Sequence, residues 1–169
     1  MPRHTLLVVI AALFAALLSG CATASMIVPV QVQSSATNAT DERPAELAMQ
    51  SKAPASRVFG RWAGGFLVLP EGKTVAGVCA AAIEQKAPGC SVRVKSFWVT
   101  DRIAAAGFAT GIDGVAEVEI SRNGKSTTLS VKSDSLKFIG GASAFSDAAQ
   151  ELCKKLGEST GRAISAGAL

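Results

Sequence analysis

The chain has 169 residues, a formal net charge of +4 and 49% hydrophobic residues, with no tyrosine and a single histidine, His4. Basic and acidic side chains are interleaved rather than blocked, so nothing points to nucleic acid, and any pull toward anionic surfaces is weak and unspecific. Loss of the first residues by processing would remove the only imidazole. That excludes Ser-His and Cys-His nucleophile pairs and His-ligated catalytic zinc, and no Ser-x-x-Lys is present to replace them.

In chain order, Met1-Pro2-Arg3-His4 is a short basic start, Thr5 to Leu18 is apolar, and small residues follow. This is the layout of a secretory signal over 1–20. The apolar run is fourteen residues, short of the roughly 18 needed to cross a bilayer. Leu18-Ser19-Gly20-Cys21 resembles the lipobox of bacterial lipoproteins. The resemblance implies that Cys21 is diacylated on its thiol, becomes the first mature residue and is then N-acylated. The alternative is an ordinary signal cleaved near Ala22 or Ala24, with Cys21 incidental. Cleavage before Cys21 would leave 149 residues (169 minus 20), enough for a lipidated tether (21–25) and one domain (26–157).

Met26 to Val32 alternates with the period of a strand, Val28, Val30 and Val32 lying on one side. Residues 34–56 are small and polar and read as a loop with mobile character. A short strand is expected around Phe66–Leu69. A helix is expected over Lys73–Lys86, where Val75, Val78, Cys79, Ala82 and Ile83 make one stripe, and Pro88-Gly89 ends it. Cys90 to Val99 reads as a strand with Val92, Val94 and Trp98 on one face and Arg93, Lys95, Phe97 and Val99 on the other. Asn123-Gly124 marks a tight hairpin between Val115–Ser121 and Lys125–Lys132. That register pairs Ile120 with Thr127, Val118 with Leu129 and Ala116 with Val131 on one face, and Glu119 with Thr128 and Glu117 with Ser130 on the other. The last helix, Phe145–Leu156, is expected to be capped by Ser143 or Ser146 and stopped by Gly157, leaving 158–169 as a flexible tail. The expected fold is an α+β two-layer sandwich: a mainly antiparallel sheet with two helices packed on one face.

Few groups carry chemistry. Gly72-Lys73-Thr74 and Gly124-Lys125-Ser126 lack the upstream glycine of a phosphate loop, Leu67 and Glu119 standing there instead; no nucleotide site, cofactor or metal site is expected. Glu117 and Glu119 fit a solvated sheet face with Arg93 and Lys132 as neighbours. In an oxidising compartment Cys79, Cys90 and Cys153 suggest one disulfide. Parallel helices on one sheet face put Cys79 and Cys153 at similar heights, which favours that pair over Cys90–Cys153. Thr100–Asp113 reads as a long apolar loop, with Ile103 and Phe108 as candidates for partner or lipid contact.

The lipobox, the Asp41-Glu42-Arg43 loop, the strand ending Phe97-Trp98-Val99, the hairpin and the final helix together resemble the small YajG-type envelope lipoproteins. In outline they are also similar to auxiliary lipoproteins of ABC-type lipid transport systems. The resemblance implies a non-enzymatic binding, scaffolding or auxiliary subunit, held to the membrane by its lipid and working with an envelope protein partner. Ala22 stands where enteric inner-membrane lipoproteins carry aspartate, which by the same resemblance implies the outer membrane, facing the periplasm. Two other readings stand beside it. One is a periplasmic lipid shuttle holding an acyl chain between helices and sheet. The other is a membrane-proximal enzyme using Glu117, Glu119 or the Cys90 thiol.

Overall fold

The computed structural model describes residues 24–31, 38–43, 50–62, 64–103, 109–135 and 141–169. Among them, β1 (Ala24–Ile27), β2 (Ala39–Asp41), β3 (Val58–Trp62), β4 (Gly65–Val68), β5 (Ser91–Ile103), β6 (Ala109–Arg122) and β7 (Lys125–Ser135) form one sheet. The order is β1-β4-β3-β5-β6-β7, with β2 beside the start of β5. The ladders β3–β4, β5–β6 and β6–β7 are antiparallel. β1 joins β4, and β2 and β3 join β5, in parallel. The sheet is therefore mixed. Helices α1 (Val75–Glu84) and α2 (Ala142–Ser165) supply the second layer of an α+β sandwich.

The hairpin forms in the expected register, all five expected pairs included. Asn123 (φ 51°) and Gly124 (φ 79°) both occupy the left-handed region, the geometry a two-residue primed turn requires. Ala116, Val118, Ile120 and Val131 face the core on its apolar side.

β5 departs from simple alternation. Its pairing with β6 shifts between Val94 and Ser96, a bulge that inserts one extra residue and flips the facing of everything after it. Phe97 and Val99 therefore join Val92 and Val94 in the core, while Trp98 turns to the opposite face and packs against Val58, Phe66 and Val68. The expected grouping of Trp98 with the two valines is thereby corrected.

Thr74 caps α1 by accepting the Gly77 amide at 3.1 Å. Its buried residues run almost all round the helix, because it lies between the sheet, α2 and the segment before β3. α2 begins after Gly141 with no side-chain cap; Ser146, a candidate cap, instead donates to the Pro29 carbonyl. Nor does α2 stop at Gly157. A Cβ built there would sit 2.8 Å from the Ala82 carbonyl oxygen, so the missing side chain lets the two helices touch. The helix cost of glycine, about 1 kcal/mol, is offset by that approach. Beyond it Thr160 is buried and donates to the Leu156 carbonyl, and Ile164 packs on the core. Lys125 Nζ reaches the Gly167 carbonyl at 2.8 Å. Residues 158–165 are helix, not a flexible tail.

Within 34–56, the described residues 38–43 and 50–56 carry more structure than their composition implies. Ala39–Asp41 is strand, and Arg43 and Ser51 are buried. Small polar residues conceal this because the segment is held by backbone pairing to β5 and by one ion pair rather than by apolar burial.

Candidate functional site

The strand registers sort the molecule into two ends. Ala24 pairs with Gly65, and Gly65 with Trp62. Arg61 then pairs with Thr100, and Ile103 with Ala109. The start of β1, the β3–β4 turn and the β5–β6 connection thus share one end of the sheet. At the other end lie the start of β5, the Asn123-Gly124 turn, and the close of both helices. β5 alone is 13 residues, so the ends are about 40 Å apart at roughly 3.3 Å per residue.

Cys21 and Phe108 lie outside the described residues. β1 begins at Ala24, so only Ala22 and Thr23 separate it from Cys21, where a five-residue tether was expected. Thr100–Asp113 is not a long loop: β5 runs to Ile103 and β6 starts at Ala109. Cross-strand ion pairing helps to extend the hairpin. Arg102 on β5 bridges Asp113 on β6 and, at 2.7 Å, Asp134 on β7. Those two carboxylates hold the guanidinium pKa above its ordinary value. Ile112, within the same stretch, is buried.

Cys79, Cys90 and Cys153 are all free thiols, so the expected Cys79–Cys153 disulfide is not formed. The two residues nonetheless meet. Gly157 sits on Ala82 and Gly161 near Lys86, which fixes α1 and α2 as parallel and places Cys153 beside Cys79. A hydrogen bond that the Cys79 S–H donates to Cys153, together with burial, pushes the Cys79 thiol well above its ordinary pKa. Burial also raises Cys90, with Arg122 acting against it. Both thiols stay protonated at neutral pH, and the thiolate is the nucleophile; as reduced groups they are poorly suited to covalent chemistry.

The carboxylates considered for catalysis do not converge. Glu119 lies 3.1 Å from Lys95 Nζ and 3.9 Å from Arg93, which also reaches Glu42. Glu117 sits across from Ser96 and Ser130. They occupy the solvent face of the sheet, as alternation along β6 implies. Among the described residues, no group of three His, Cys, Asp or Glu side chains is arranged to hold a metal ion.

Sequence reasoning missed Arg43. Its Nε and Nη2 bond both oxygens of Asp41 at 2.8 and 2.6 Å. Nη2 also donates to the Ala55 carbonyl at 3.1 Å, and Nη1 to that of Val58. Every face of the guanidinium fork is used, so the group is structural, locking the β2 segment to the entrance of β3. An Asp-x-Arg spacing in a polar stretch was the only signal, and it is too common to identify a buried pair.

The cavity between the helices and the sheet, lined by Val30, Phe59, Phe97 and Ala149 among others, measures about 10 Å³. This is near the minimum for one water and cannot take an acyl chain. Among the described residues, side chains fill this part of the space between the helices and the sheet.

No protein-family profile matches the chain, and no curated protein is similar to it. A solved structure described as "Crystal structure of uncharacterized protein" aligns with a TM-score of 0.41 and 10% identity, covering 83% of this chain and 88% of that one.

Proposed function

We propose that this is a lipid-anchored envelope protein, attached through Cys21 and acting without catalysis as a binding, scaffolding or auxiliary subunit of an envelope complex. The observation that carries the reading is the two-residue gap between Cys21 and β1. With a reach of about 10 Å, an acylated Cys21 holds the Ala24 end of the sheet against the bilayer. The β5–β6 connection leaves the sheet at that same end, and its sequence, Ala104-Ala105-Ala106-Gly107-Phe108, carries no charge. Such a tip can lie near lipid without the cost of burying an ion. On this reading Ile103 and Phe108 serve membrane contact at an outer membrane facing the periplasm.

The test is metabolic labelling with palmitate and fractionation of cells expressing wild type or Cys21→Ser. Wild type should incorporate label and sediment with membranes, and the variant should do neither. Label retained in the variant would refute the anchor.

A further inference from the structure

At the end of the sheet opposite Ala24, the residues after α1, the end of β6 and the last turns of α2 surround an open groove of about 570 Å³. Lys86, Arg122 and Arg162 line it against one carboxylate, Glu158, and Pro88 and Ile164 add apolar surface. These cations differ from several others among the described residues. Arg43, Arg93, Lys95, Arg102 and Lys155 all make ion pairs. Among the described residues the side chains of Lys86 and Arg122 have no hydrogen bond or ion pair, and that of Arg162 bonds only Ser159 Oγ at 3.0 Å.

Helix dipoles explain part of this arrangement. α1 and α2 both end here, and each C-terminus carries roughly half a negative charge that favours a nearby cation. Three cations less Glu158, less about one unit for the two helix ends, still leave the groove positive by about one charge. Arg122, on a strand, has no helix end of its own. A small molecule wants most of its surface enclosed, which this open groove does not provide, whereas an extended chain can lie along it. Guanidinium groups pair with carboxylates through two parallel N–H···O contacts.

We propose that this groove docks an acidic peptide segment of a partner protein, its carboxylates meeting Arg122 and Arg162 and its apolar side chains meeting Pro88 and Ile164. The docking itself does not depend on the lipid anchor. Only its direction, away from the bilayer by about 40 Å, rests on the function proposed above.

The experiment is fluorescence anisotropy of the purified protein with a fluorescein-labelled peptide rich in glutamate and alanine. Binding should weaken about tenfold or more, 1.4 kcal/mol, in Arg122→Glu/Arg162→Glu, and also weaken in Arg122→Gln/Arg162→Gln, which guards against misfolding by charge reversal. Lys154→Glu, which changes the net charge by the same two units as the double glutamine variant but elsewhere on α2, should leave binding within about twofold. Equal affinity across these variants, or an equal loss in Lys154→Glu, would overturn the proposal. So would displacement of the peptide by inorganic phosphate at concentrations where acetate has no effect. Binding to phosphatidylglycerol vesicles that is lost with the two arginines would overturn it as well, by assigning the groove to lipid.

Discussion

Arg43 and Arg102 make the same type of contact and differ in where the fold puts them. Each guanidinium engages carboxylate oxygens at hydrogen-bonding distance, Arg43 with Asp41 and Arg102 with Asp113 and Asp134. The Arg43 side chain is 3% exposed and that of Arg102 is 36%. Arg43 has given up its water, so its donors need protein acceptors, and two backbone carbonyls add to the two Asp41 oxygens. Arg102 keeps part of its hydration, and water can replace whatever a mutation removes. An ion pair's structural weight is set by what surrounds it, not by its partners.

Arg43→Ala should give the largest loss, about 3–5 kcal/mol by urea unfolding, because it leaves the Asp41 carboxylate largely buried and unpaired. A loss under about 1 kcal/mol would erase the distinction between the two sites. Adding Asp41→Ala to Arg43→Ala should recover part of the stability, since no orphan charge then remains. Strict additivity would show that the two side chains are not coupled. Arg102→Ala should have the smallest effect, a shift in unfolding midpoint close to experimental error that shrinks further at about 0.5 M salt, where exposed pairs are screened. The Arg43 effect should persist at that salt.

Legibility followed the kind of constraint. The β6–β7 hairpin could be read residue by residue because its turn dipeptide and its two-sided alternation specify one register. Both helices were legible from their stripes, and the adjacency of Cys79 and Cys153 followed from placing those helices in parallel. β5 was misread after Val94, since a bulge leaves no mark in a run such as Val94-Lys95-Ser96-Phe97. α2 was cut short because Gly157 looks like a stop when its neighbour, the Ala82 carbonyl, is unseen. The basic groove was invisible for the same reason: Lys86, Arg122 and Arg162 are far apart in sequence and are joined only where α1, β6 and α2 end together.

By itself the sequence determined local matters: the hairpin register, the helix stripes and the absence of imidazole from the chain after Cys21. Each depends on residues within a few positions of one another, where backbone geometry and alternation leave little choice. Tertiary structure decided the remainder. It chose which face Trp98 presents, how far α2 runs, which arginine is buried and which solvated, and that the start of β1 and the basic groove stand at opposite ends. These are outcomes of packing between distant segments, and their energies exist only once those segments are in contact.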